Sequence, residues 1–197
     1  MAHNAGGGGE ARKKALTIPR EEGIAEGKKS GLRGRGGAGF PTGLKWAGVA
    51  HDPCPTKYLV CNGSEGEPGS FKDHMLMRKN PYQLLEGIAI AAYAIKAKRA
   101  FLGIKTSSQK EVSAVKRAID EMLERDVLGP TPIELVLGPE DYLFGEEKAR
   151  LEVIEGRLPM PRDADNPPSV DGVLFPAPAA PEPTVACHVD TLETIPQ

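Results

Sequence analysis

Two periods of apolar and polar positions alternate along the middle of the chain. Lys57-Tyr-Leu-Val-Cys-Asn62 is a short apolar run of strand length. Residues 81–97 carry Leu84, Leu85, Ile88, Ala92 and Ile95 on one face at helical spacing. Residues 100–105 read as a second strand. Ser107 or Ser108 then opens a helix reaching about Asp126, with Val112, Val115, Ile119 and Met122 facing inward and Gly129 beyond its end. Ile133-Glu-Leu-Val-Leu137 is a third strand, and a helix follows from about Gly145 to Ile154. Strands alternating with helices predict an α/β fold with a parallel sheet and flanking helices.

The two ends of the chain differ from this middle. Residues 1–19 include a glycine tract at 6–9 and predict a disordered N-terminal tail. Residues 20–29 are polar and predict a short helix. Residues 159–183 hold eight prolines in 25 positions, which excludes a regular helix or a central strand and predicts an extended arm. Residues 184–194 regain apolar content and are expected to pack back. The expected organisation is a tail at 1–19, one α/β domain at 20–158, and a proline-rich arm with a returning segment at 159–197.

Candidate chemistry sits where parallel sheets bind ligands, beyond the C-terminal ends of strands. Before the first strand runs Gly31-Leu-Arg-Gly-Arg-Gly-Gly-Ala-Gly-Phe-Pro-Thr-Gly-Leu-Lys-Trp46, with six glycines, two arginines and one lysine in sixteen residues. Successive free N–H groups on such a loop make a concavity for an anion, and Arg33, Arg35 and Lys45 add positive charge. The reading is a phosphate cradle, with a flexible linker as the alternative. After the first strand comes Asn62-Gly-Ser-Glu-Gly-Glu-Pro-Gly69. Asn62 can donate and accept, as a heterocycle edge demands, and Glu65 and Glu67 can accept from ribose hydroxyls; an acidic turn is the plainer alternative. After the third strand comes Tyr142-Leu-Phe-Gly-Glu-Glu147. Its two glutamates suit a helix N-terminus as well as a sugar or ring, and Tyr142 could pack on an aromatic cofactor.

Composition narrows the classes. The chain has 197 residues and a formal net charge of −2, which favours neither nucleic acid nor an anionic membrane surface as partner. The longest apolar run, residues 87–95, is too short to span a bilayer. The basic N-terminus lacks the apolar stretch of a signal peptide. Cys54, Cys61 and Cys187 form no C-x-x-C pair, which argues for a reducing cytoplasm and against a cysteine-held iron–sulfur cluster or zinc site in this chain.

Together, residues 31–46, 57–73 and 138–156 closely resemble the FMN-binding domain of the NADH-oxidising flavoprotein (51 kDa) subunit of respiratory complex I, in family order and spacing from about Gly23 to Pro196. The resemblance implies a Rossmann-like α/β domain of the complex I flavoprotein FMN-domain type. It implies FMN as cofactor, NADH as hydride donor, and an iron–sulfur subunit as electron acceptor. It also implies a cytoplasmic protein, peripheral to a membrane only through a complex. By position, Gly34, Arg35, Gly36, Gly37, Lys45, Asn62, Ser64, Glu65, Tyr142, Gly145, Glu146, Cys187 and His188 fall where the family contacts FMN. Phe40, Lys45, Glu67 and Glu147 fall where it contacts NADH. No side chain is implied as acid or base, because the flavin carries the chemistry.

Four positions depart from the family pattern. Ser64 stands where the family carries Asp, His74 where it carries Arg, and Cys187-His188 where two asparagines meet the flavin phosphate region. Two neutral hydrogen bonds lost at about 0.5–1.5 kcal/mol each weaken binding roughly 5- to 150-fold. A protonated His188 would offset part of that. These departures support an alternative reading, a flavin- or nucleotide-binding module or scaffold without electron transfer.

Overall fold

The computed structural model describes residues 9–160 and 182–196. Helix α1 (Glu10–Thr17) and α2 (Arg20–Lys29) precede a glycine-rich loop and α3 (Thr42–Ala50). Then come β1 (Tyr58–Asn62), α4 (Lys72–Lys79), α5 (Pro81–Ile95), β2 (Arg99–Lys105), α6 (Gln109–Glu124) and β3 (Ile133–Gly138). A 3-10 turn (Tyr142–Gly145) leads into α7 (Glu147–Ile154), and β4 (Thr184–His188) and α8 (Val189–Thr194) close the described chain. The four strands form one parallel sheet in the order β3-β2-β1-β4. The expected α/β architecture is therefore the observed one.

The sheet has two unequal faces, because successive strand residues point to opposite sides. Leu59, Cys61, Leu102, Ile104, Val185 and Cys187 face a large core shared with Trp46, Leu84, Leu85, Ile88, Val112, Val115 and Leu192. Tyr58, Val60 and Phe101 face the other side and meet only a small cluster with Leu151 of α7. On the large face α5 is the central element. Asn80 caps it by accepting from Gln83 N, and Pro81 fits its first turn, where no N–H partner is needed. Gly87 lets α8 approach, since a Cβ there would stand 1.9 Å from the Leu192 carbonyl oxygen.

Four elements differ from what the sequence patterns predict. Residues 10–17 form α1 instead of a disordered tail. The helix buries none of its own residues. It is tied by Glu86 of α5, 1% exposed, whose carboxylate accepts from Gly9 N and Arg12 N at 3.0 Å each. An anion at a helix N-terminus meets both free N–H groups and the positive end of the dipole. The loop expected through residue 46 ends at Pro41, where α3 begins. Helix α4 is capped from a distance by Glu65. Residues 184–188 are a fourth strand, paired in parallel along β1. The arm expected at 159–183 lies almost wholly outside the described residues.

Candidate functional site

The glycine-rich loop folds back on itself. Arg33 and Pro41 form an antiparallel bridge, Gly34 N donates to Phe40 O at 2.9 Å, and Arg33 Nη1 donates to Gly39 O at 3.1 Å. Arg33 thus holds the loop's own backbone. Arg35 N donates to Thr191 Oγ1 at 3.0 Å, anchoring the loop to α8. Gly37 and Gly39 have φ of 127° and 63°, conformations that favour glycine. Among the described residues, no hydrogen bond occupies the N–H groups of Gly36, Gly37, Ala38 and Gly39, which leaves them open to an anion.

This loop crosses the C-terminal ends of β1 and β4. Asn62 and His188 are register partners there and share a face. The Asn62 amide is oriented by Ser64, whose N–H donates to Oδ1 at 3.0 Å and whose hydroxyl lies 2.7 Å from the same oxygen. Asn62 Nδ2 then donates to Gly145 O at 3.1 Å and faces His188 Nδ1 at 3.3 Å. Nδ1 is therefore the acceptor, and the neutral ring carries its proton on Nε2. The ring lies against the loop: a Cβ on Gly36 would stand 1.9 Å from Nε2, so only glycine fits.

Two cavities meet at this point. The first, about 490 Å³, is lined by Arg35, Gly37, Asn62, Ser64, Glu67 and Tyr142 among others. The second, about 630 Å³, is lined by Phe40, Leu44, Lys45 and Glu147 among others. Gly36, Gly145, Glu146 and His188 border both and form the wall between them. Volumes of this size suit small-molecule and cofactor sites. A larger groove of about 830 Å³ lies behind the loop, between α1, α2 and the end of α8, and shares Gly34, Arg35 and Thr42 with the two cavities.

Most of the charged residues singled out from sequence already hold structural partners. Glu65 accepts from the backbone N–H groups of Lys72, Asp73 and His74 at 3.0–3.4 Å, and from the Ser70 hydroxyl. It is the cap of α4. Glu146 caps α7 by accepting from Ala149 N at 2.7 Å. Lys45 donates to Glu147 at 2.5 Å and to Ala186 O at 2.7 Å, joining α3 to α7 and β4. Tyr142, 62% exposed, donates to Glu67 at 2.5 Å and covers the first cavity. Phe40, 55% exposed, stands at the rim of the second.

Two expectations change here. The sequence reading places Cys187 and His188 together at the flavin phosphate, but strand alternation separates them. Cys187 borders the second cavity, yet its thiol belongs to the large core, where burial pushes it up to about 11. The help that a cationic His188 would give is also absent. Burial, with the charges of Arg150 and Lys72, pulls it down to about 4, so it is neutral at neutral pH.

Two other features lie outside the candidate residues named from the sequence. Lys72 bridges Asp73 at 2.7 Å and Asp190 at 3.1 Å beside the first cavity, and burial pushes Asp73 up to about 6. Arg150 of α7 is fully buried beneath Gly145. A mid-helix arginine reads as a surface residue, so only packing could disclose it. The donor set fits an aromatic mononucleotide: free loop N–H groups for a phosphate, and Asn62 and His188 as polar groups in a largely apolar cavity. The residues present therefore suit FMN. Among the described residues, no group of three or more His, Cys, Asp or Glu is placed to hold a metal ion, and no helix is long and apolar enough to cross a membrane.

Residues 28–197 match the family described as the Nuo51 FMN-binding domain. A NADH-quinone oxidoreductase subunit of Rhizobium meliloti (strain 1021) is 40% identical over 203 residues, covering 98% of this chain and 47% of that protein. The corresponding NADH-quinone oxidoreductase subunit of Aquifex aeolicus (strain VF5) is 37% identical over 198 residues, covering 96% and 45%. A chain of the NAD+-reducing NiFe hydrogenase in its H2-reduced state superposes with a TM-score of 0.82 at 34% identity, over 90% of this chain and 30% of that one. The chain spans about half the length of the curated relatives it matches.

Proposed function

The chain belongs to the Nuo51 FMN-binding domain family, and from that premise we propose that it binds FMN and NADH and passes a hydride between them. The observation that carries this reading is convergence. Three segments far apart in sequence, the loop ending at Pro41, Asn62 to Glu67, and Tyr142 to Glu147, meet the end of β4 around two joined cavities. When bound, FMN supplies the hydride-accepting ring and the ability to release electrons singly.

The chain's own residues bind and orient. The open N–H groups of Gly36 to Gly39 hold a phosphate. Asn62, fixed by Ser64, presents a donor of set direction toward the cavity wall, and His188 presents an uncharged one. Phe40 offers an aromatic face to the nicotinamide dinucleotide in the second cavity. Glu147 in that cavity, and Glu67 in the adjoining first cavity, accept from its ribose hydroxyls and repel a 2′-phosphate, so NADH is preferred to NADPH. The Tyr142–Glu67 contact forms part of the wall of the first cavity. Electrons leave to an iron–sulfur partner subunit in a complex peripheral to a membrane on the cytoplasmic side.

An absorbance spectrum taken after FMN loading and removal of excess, then under anaerobic NADH, tests this. Retained bands that bleach are expected. Retained bands that NADH leaves unchanged support the flavin-binding module without electron transfer, and no retained flavin rejects both. The Glu67→Gln variant should bind FMN like the parent while its KM for NADH shifts severalfold; an unchanged KM removes Glu67 from the dinucleotide site.

A further inference from the structure

Arg150 is the bulkiest fully buried side chain of the described protein, with 1% exposure. Its stem packs on β2, where a Cβ on Gly103 would stand 3.2 Å from Cδ. Gly103 is in register with Asn62, so the guanidinium lies under the same end of the same sheet face. Nη2 donates to Gly145 O at 2.6 Å, and Nε is buried with no hydrogen-bond partner. Among the described residues, no carboxylate comes within ion-pair distance of it. Burial pulls the guanidinium down only to about 10, so it is charged at neutral pH.

A buried charge without a counter-ion disfavours folding, and a hydrophobic residue of similar volume is usually as good or better there. The position of the charge indicates what it serves. The Gly145 carbonyl accepts from both Arg150 and Asn62 and borders both cavities. Hydride transfer moves two electrons and one proton together. With both cofactors bound, NADH would leave as NAD+ and the flavin would carry one added negative charge. A fixed cation behind the cavity wall, in a low-dielectric interior, stabilises that added charge and does little for the oxidised ring.

We propose that Arg150 is a positioning residue for the cofactor, pinning the Gly145 carbonyl and biasing bound flavin toward its reduced form. This rests on the FMN reading. It is tested by titrating the midpoint potential of the FMN-loaded protein against indicator dyes for the parent, Arg150→Met, Arg150→Gln and Arg150→Lys. Arg150→Met and Arg150→Gln should each lose tenfold or more of the preference for reduced flavin, a fall of about 30 mV for a two-electron couple. Arg150→Lys should stay within about threefold of the parent, and all should bind oxidised FMN within about threefold of it (thresholds set against the tenfold scale of). Arg150→Gln keeps a donor to Gly145, so it separates charge from hydrogen bonding even if Arg150→Met folds poorly.

An unchanged potential in both neutral variants overturns the proposal while the FMN reading stands. Weaker binding of oxidised FMN with riboflavin spared overturns it too, because the charge would then serve the phosphate. A parent that retains no flavin removes the FMN reading and this inference with it. In flavin-free protein, Arg150→Met should melt no lower than the parent; a lower melting point with an unchanged potential makes Arg150 purely structural.

Discussion

The two faces of the sheet use the same strands for opposite ends. On the large face, Cys61 and Cys187 are neighbours in register, buried among leucines and helices, and burial raises both thiols. On the small face, one residue further along each strand, Asn62 and His188 are neighbours in register and form a cavity wall. The large face holds the apolar area that stabilises the fold. The small face holds polar groups, an unpaired buried charge at Arg150, and a thin cluster around Phe101 and Leu151. A period-2 alternation thus separates stability from binding within single strands, and a change of one position decides which of the two a mutation affects.

The sharpest break of that contrast comes from the core. Ile88→Ala, at a position with no exposure, should cost about 2–5 kcal/mol in chemical denaturation, by lost transfer energy and the cavity left behind. FMN bound per folded molecule should not change. If flavin affinity falls with stability, the two faces are not independent.

A smaller effect separates adjacent residues. Cys187→Ala should lower stability by about 1 kcal/mol, for one small buried group, and leave FMN affinity intact. His188→Ala should do the reverse, weakening FMN roughly 5- to 10-fold for one lost neutral donor while the melting point barely moves. Isothermal titration and thermal melts on the pair would show whether the effects trade places as strand alternation requires.

The smallest effect lies around the first cavity, which Asp73 and His188 both line, in its pH response. Asp73 sits at about 6, above its ordinary value, so the folded state takes up a proton first as pH falls from 6 toward 4, and stability rises. His188 sits at about 4, below its ordinary value, so the unfolded state takes up a proton first as pH falls from 6.5 toward 4, and stability is lost. The two oppose each other in one window, and their contributions largely cancel. Asp73→Asn should uncover the histidine, with the melting point dropping more steeply on acidification than in the parent. His188→Gln should uncover the aspartate, with the drop shallower or reversed. Parallel curves for both variants would remove this pairing.

Legibility in the sequence differs by element. The periodicities of β1, α5, β2, α6 and β3 are legible because each buries a face in the order its side chains repeat. Helix α1 is not, because its anchor is Glu86, over seventy residues away. Helix α4 escapes notice for a related reason: its cap, Glu65, reads as a ligand-binding acid.

The sequence alone determined the alternating α/β order, the glycine loop's capacity for φ > 0 and open N–H groups, and the segments that carry the family motifs. These follow from local properties: period, missing side chains, and residue type at fixed spacing. Only tertiary structure decided that β4 lies beside β1, that Cys187 turns inward while His188 turns toward the loop, and that His188 is neutral. It alone placed an unpaired arginine behind the wall between the cavities. Those outcomes depend on register and burial, which arise when distant segments pack and remove charges from water.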